Sequence, residues 1–313
     1  MHHDPMLKLA QEQVKGALRG DVHSPLVKAF FDEATFTASY VVRDPVLKHA
    51  AIIDPVLDFD FKSGRTSTNS ADQIAEFVRS EELQIDWLLE THTHADHLSA
   101  AAYLKEELGG QVGIGKEIVA VQEVFGSVFN QGADFARDGS QFDRLFEDGN
   151  RMEIGETPFT ALFVPGHTPA DMAYVIGDAV FVGDTMFMPD CGTARADFPG
   201  GDAQALYRSI RRLMELPDDT RVFLCHDYKS PDRDEFVWET TMAEERRSNI
   251  HIHDGVGEDE FVAMRKDRDR TLDMPRLILP SVQVNMRGGH LPEPEDNGTR
   301  YLKIPLNTLG GNS

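Results

Sequence analysis

A mixed α/β fold is predicted by two observations. Strand-like and helix-like segments alternate at short spacing along most of the 313 residues. A histidine-rich stretch, THTHADH at 91–97, falls between an apolar run and a helical one. The composition, 41% hydrophobic and 27% charged, suits a chain that buries a sizeable core.

The segment 35–42 (TFTASYVV) is β-branched and aromatic and predicts a strand, as does 50–53, which Asp54-Pro55 stops. Ser70 is placed to cap a helix over 71–83, where Ile74, Phe77 and Val78 share a helical face. The apolar run 85–90 (IDWLLE) predicts a buried strand, and 98–108 a helix closed by Gly109-Gly110. The histidine motif therefore belongs to a strand-to-helix loop. Further strands are predicted at 112–115, 159–164, 173–176 and 179–182, with Gly177-Asp178 as a hairpin turn. A helix over 203–216 ends at Pro217, a strand follows at 221–224, and two charged helices at 235–248 and 258–270.

From Asp273 prolines and glycines multiply, predicting an extended arm. Leu277, Ile278, Leu279, Val282, Val284, Tyr301, Leu302 and Ile304 are too apolar for a free tail. The expected division is a segment 1–24, a domain 25–272, and an arm 273–313 packed on the domain or on a neighbouring subunit. The apolar residues of the arm predict a homodimer or a larger homo-oligomer.

With 31 Lys+Arg against 53 Asp+Glu, the formal charge of −22 opposes nucleic acid and anionic membrane surfaces. The pairs Arg211-Arg212 and Arg246-Arg247 are isolated and predict solvated helix faces. The N-terminus has no apolar signal region, and no apolar run approaches a membrane span of roughly 20 residues. Two cysteines cannot build a disulfide framework, so a reducing, cytoplasmic location is expected.

Chemistry concentrates in His92, His94, Asp96, His97, His167, Asp184 and His226, each near the mouth of a predicted strand. A single such histidine is more often a satisfied polar group than a ligand. Four potential ligands within six positions favour metal, and one loop of this kind can line two neighbouring sites. In Pro165-Gly166-His167 the glycine permits a tight turn. His251 and His253 alternate in a predicted loop and are expected to be exposed.

The order HxHxDH, Gly-His-Thr, Gly-Asp, His resembles the metallo-β-lactamase superfamily. The resemblance implies an αβ/βα sandwich, two mixed β-sheets face to face with helices outside and the metal at one edge. The stretches GHTPADMAYVIGDAVFVGDTMFMPDCGTARADF, LCHDY and PEPEDNGTRYLKIPLN are similar to the persulfide (sulfur) dioxygenases, in particular their bacterial β-lactamase-like-hydrolase branch. That likeness implies one Fe(II) held by His92, His167 and Asp184, with glutathione persulfide and O2 as substrates. His94, Asp96, His97 and His226 then support the ligands or hold a second metal. The same seven residues equally suit a dinuclear zinc hydrolase similar to glyoxalase II, with Asp184 bridging.

By the same likeness Arg195 and Tyr228 are candidate substrate-binding residues. The competing readings are a surface ion pair of Arg195 with Asp197 and a core tyrosine. Cys191 is the candidate for a redox role, whereas Cys225, at a strand end, is expected to pack as a small apolar residue.

Overall fold

The fold follows from strands whose two faces are both apolar. The computed structural model describes residues 4–309; the portions of the predicted N-terminal segment and arm at 1–3 and 310–313 lie outside the described residues. In chain order α1 (Pro5–Arg19) precedes β1 (Leu26–Asp32), β2 (Thr37–Arg43), β3 (His49–Ile53), β4 (Val56–Asp60) and β5 (Arg65–Ser67). Then come α2 (Asn69–Ser80), β6 (Gln84–Leu89), β7 (Leu98–Ser99), α3 (Ala101–Leu108), β8 (Gln111–Gly115), α4 (Ile118–Val128) and β9 (Arg144–Phe146). The second half holds β10 (Arg151–Ile154), β11 (Thr157–Phe163), β12 (Met172–Ile176), β13 (Ala179–Phe181), α5 (Ala203–Leu213), β14 (Arg221–Phe223) and β15 (Glu239–Thr241). Three helices close the chain: α6 (Met242–Ser248), α7 (Glu258–Asp269) and α8 (Ile278–Asn285).

One sheet has the order β1-β2-β3-β6-β8-β9 and the other β10-β11-β12-β13-β14-β15; a small sheet, β5-β4-β7, sits beside them. Both large sheets are mixed, since β3, β6, β8 and β9 pair in parallel and so do β13 and β14, while the other pairs are antiparallel. Alternate residues of each strand enter different cores. In β3, Ala51 and Ile53 join Tyr40, Leu89, Tyr174 and Phe181 between the sheets. Ala50 and Ile52 instead face Ile74, Leu104, Phe125 and Val282 under the helices outside. On the second sheet Val175 and Val180 meet Val14, Leu206, Ile210 and Phe261. The result is the predicted αβ/βα sandwich.

Several elements differ from expectation for identifiable reasons. The N-terminal segment forms α1, started by Asp4, whose Oδ1 accepts from Met6 N and Leu7 N at 3.0 Å each. Its Leu7, Ala10 and Val14 make one buried stripe. The helix predicted over 98–108 begins only at Ala101, because Leu98 and Ser99 pair with Leu57 and Val56 as β7. Thr68, not Ser70, precedes α2; the Ser70 hydroxyl donates to Asp58 Oδ1 at 2.7 Å. The segment 235–248 divides into β15 and α6. The arm is not extended throughout. Residues Ile278–Asn285 are helical and place Ile278, Val282 and Val284 in the core under the first sheet. Among the described residues no helix is long and apolar enough to cross a membrane.

Candidate metal centre

The seven predicted ligands converge where the two large sheets meet. His92, His94, Asp96 and His97 lie in the loop between β6 and β7. His167 lies between β11 and β12, Asp184 follows β13, and His226 follows β14. The sheets are stitched together here: Ala38 N donates to Cys225 O at 2.7 Å and the Tyr40 hydroxyl to Leu224 O at 2.5 Å. At Gly166 φ is +150°, and a Cβ would stand 2.3 Å from Leu206 N and Cα of α5. Glycine therefore lets the chain turn against α5 to deliver His167, as the sequence predicts.

The seven predicted ligands fall into two groups of ligand atoms, each within 4.8 Å: His92 with His167 and Asp184, and His94 with Asp96, His97 and His226. The imidazoles are set for metal by what their other nitrogens meet. His167 Nδ1 donates to Arg195 O at 2.8 Å and His226 Nδ1 to Phe36 O at 3.1 Å. The Thr91 hydroxyl donates to Asp54 Oδ2 at 2.8 Å, so its oxygen accepts from His92 Nδ1 at 3.0 Å. Protons on Nδ1 leave the Nε2 lone pairs for the site. Asp184 spans the two groups, with Oδ2 3.6 Å from His167 Nε2 and Oδ1 3.3 Å from His226 Nε2.

The donor set fits a metal. His92, His97 and His226 Nε2, Asp96 Oδ2 and Asp184 Oδ1 are all buried without a hydrogen-bond partner, an arrangement that a coordinated cation completes. Burial and the neighbouring imidazoles push His92 well down, which favours the neutral ligand form. For His94, burial opposes charging, but the adjacent Asp54 and Glu90 carboxylates outweigh it and raise the group well above its ordinary value.

Asp54 and Glu90 were not among the predicted site residues. Asp54 Oδ1 is 3.0 Å, and Glu90 Oε2 3.5 Å, from His94 Nε2, while both ring nitrogens of His94 are buried without a hydrogen bond. The only sequence signal for Asp54 was its position as a strand stop.

A family model of the metallo-beta-lactamase superfamily matches residues 33–226. The chain belongs to that superfamily. A probable metallo-hydrolase of Burkholderia pseudomallei is 56% identical, over 90% of this chain and 99% of its own length. Glyoxylase B2 of Dictyostelium discoideum is 47% identical over 90% of this chain and 97% of its own. Human mitochondrial persulfide dioxygenase ETHE1 is 28% identical over 91% and 97% respectively. The crystal structure of ETHE1 from Myxococcus xanthus superposes with a TM-score of 0.67 and 30% identity, covering 85% of this chain and 100% of that one.

In this superfamily member a cavity of about 1010 Å³ opens over the site, lined by Asp96, His167 and Asp184 and by Cys191, Arg195 and Tyr228. Arg195 is already engaged: Nε and Nη2 donate to Asp197 at 2.5 and 2.8 Å, and Nη1 to Asp273 O at 2.6 Å. The ion pair weighed as the alternative is therefore present, and it is the Arg195 carbonyl that touches the site, through His167. Tyr228 is 50% exposed and lies parallel to the His226 ring at 5.8 Å, so it is not a core tyrosine.

Cys191 donates to Lys229 O at 3.2 Å, and burial with Asp190 and Asp227 pushes its thiol up to about 12. The uncharged thiol is therefore the favoured form of this residue. Cys225 is buried, as expected, with Sγ 3.8 Å from Asp54 Oδ2. His251 is not exposed: its Nδ1 accepts from Thr193 N at 3.0 Å, and burial with Arg265 and Arg268 lowers it to about 4.

Two guanidinium groups in the cavity wall were missed. Arg268 of α7 and Arg276 form no ion pair or side-chain hydrogen bond among the described residues, although Arg276 covers the Phe61 ring at 4.2 Å. Arg268 lay in a helix read only as charged, and Arg276 in the arm.

Proposed function

We propose that the protein is an iron-dependent persulfide dioxygenase that converts glutathione persulfide, O2 and water to glutathione, sulfite and two protons. The terminal sulfur is oxidised and O2 reduced. The observation that carries this reading is the compact His92, His167 and Asp184 group beneath a cavity large enough for a tripeptide thiol. His92, His167 and Asp184 would hold a ferrous ion, which would supply the redox chemistry that O2 requires. The relative named persulfide dioxygenase, aligned over nearly its whole length, supports the assignment.

The chain's own groups do the rest. Arg195 O and the Thr91 hydroxyl hold His167 and His92 in the ligating tautomer. Arg268 and Arg276 offer unpaired positive charge to the carboxylates of the thiol carrier. Tyr228 and Phe187 wall the cavity beside His226. We place the protein in the cytoplasm as a homodimer or larger assembly, in keeping with the exposed Ile304 and Leu306 of the arm.

The second reading, a dinuclear thioesterase similar to glyoxalase II, is favoured by the second ligand group and by the position of Asp184 between the two. The 47% identical glyoxylase B2 points the same way. Metal analysis with an oxygen electrode separates them. The dioxygenase holds about one iron per chain and consumes O2 with glutathione persulfide, and loses both in His92→Ala and Asp184→Ala. Two zincs per chain with turnover of S-lactoylglutathione and no O2 uptake overturns it.

A further inference from the structure

The metal-binding loop is held by a residue nearly two hundred positions away. Asn285, buried at the end of α8, directs its whole side-chain amide at that loop. Its Oδ1 accepts from Ser99 N at 2.7 Å, and Nδ2 donates to His94 O at 2.9 Å and to His97 O at 2.8 Å. Both donors of the amide are thereby used.

Side chains on the loop meet Thr91, Asp54, Glu90 and Thr37, but its backbone has few partners. Among the described residues no backbone hydrogen bond joins residues 92–97 to one another. Its neck is closed by Ser99, whose hydroxyl donates to Glu90 Oε1 at 2.5 Å and accepts from Ala101 N at 3.0 Å. The chain after α8 stays against the same segment. Gly289, at φ +85°, lies so close that a Cβ there would stand 3.0 Å from Ser99 O and Ala102 N.

We propose that Asn285 is a positioning residue of the metal centre, one that shapes the His92–His97 loop before metal arrives. Buried carbonyls at His94 and His97 need a donor, and they lie on the backbone that fixes where these two imidazoles point. Removing the amide leaves both unpaired, free to turn and take their side chains with them. The inference rests on the metal site and not on the reaction: in the thioesterase reading His94 and His97 are ligands, in the dioxygenase reading they belong to the loop that carries the ligand His92, and its failure leaves the dioxygenase reading untouched.

The test measures metal directly. Zn(II) affinity is read by competition with a chromophoric chelator, and ligand geometry by the visible spectrum of the Co(II) form. Asn285→Ala should bind Zn(II) about 10- to 100-fold more weakly, the range seen for lost outer-shell partners, with an altered Co(II) spectrum. Gln283→Ala is the control. It removes bonds from the same helix to Leu279 O and Lys303 O and should keep wild-type affinity and spectrum even if it lowers the unfolding midpoint.

Wild-type affinity and spectrum in Asn285→Ala, or an equal loss in Gln283→Ala, overturns the proposal. If Asn285→Ala does not fold, Asn285→Asp carries the same test, since it keeps an acceptor for Ser99 and loses both donors. The metal-free wild-type chain gives a reading that needs no variant. Its Ser99 amide should exchange slowly, and fast exchange in the folded protein overturns the proposal as well.

Discussion

Arg195 and Arg268 show how the same side chain changes meaning with its neighbours. Both guanidinium groups reach the cavity wall, but Arg195 is closed in a fork with Asp197 and bonded to Asp273 O, whereas Arg268 and Arg276 have no carboxylate partner among the described residues. Sequence places Arg195 near the site through its motif and offers Asp197, two positions on, as the competing partner, without deciding between them. The unpaired arginines were invisible for the opposite reason, because no motif surrounds them and the cavity that gives them a role is made by folding. A charge-assisted hydrogen bond is worth about 1.5–3 kcal/mol. Arg268→Ala and Arg276→Ala should therefore each raise KM for glutathione persulfide about 10- to 100-fold with kcat near wild type. Steady-state kinetics that show a fall in kcat at unchanged KM would remove both from substrate recognition.

Among the elements, those that carry ligands were the legible ones. β6, β11, β13 and β14 are short apolar runs ended by a polar motif, and both the run and its end could be read. β1 (LVKAFFD) and α1 were not, because each owes its structure to a partner. β1 pairs along its length with β2, and α1 buries one stripe against β11 and β12. Helix α6 adds a titratable feature that composition hides. Glu245 is buried among the charges of 239–248, with Oε2 accepting from Asn249 Nδ2 at 2.7 Å and Oε1 unpaired. Burial raises its carboxyl to about 8 from an ordinary 4.5. The folded state thus holds this proton to higher pH than the unfolded chain, so the stability is fully present below pH 4.5 and falls as pH rises toward 8. The slope from this group is at most about 1.4 kcal/mol per pH unit. Glu245→Gln keeps the acceptor for Asn249 and cannot ionise. Urea unfolding should find the variant close to wild type at pH 5 and more stable at pH 8; parallel pH profiles for the two proteins would refute the buried ionisation.

At the scale of the whole molecule, the ligands matter because of where the chain distributes them. Four come from the loop after β6, at the edge of the first sheet, and three from the strand ends of the second. The order of the motifs along the sequence made this set legible. It did not reveal that the set joins two separately cored layers, nor that α8 reaches back to hold the loop. The −22 formal charge sharpens the same point, since a cation at this edge also answers Asp96, Asp184, Asp54 and Glu90, four carboxylates collected around the histidines. A metal held by His92, His167 and Asp184 would tie the loop after β6 to the second sheet in the folded state alone, because only folding brings residues 92, 167 and 184 together. Binding to the native state only stabilises it by about 2.7 kcal/mol at a free-metal concentration of 100 Kd. Differential scanning calorimetry should therefore show a lower unfolding midpoint after chelation and a rise on adding metal back, the rise growing with metal concentration. Asp184→Ala, which removes the carboxylate between the two groups, should show no such rise. An equal rise in the variant would mean that metal binds elsewhere, and no rise in the wild type would mean that the edge is not cross-linked.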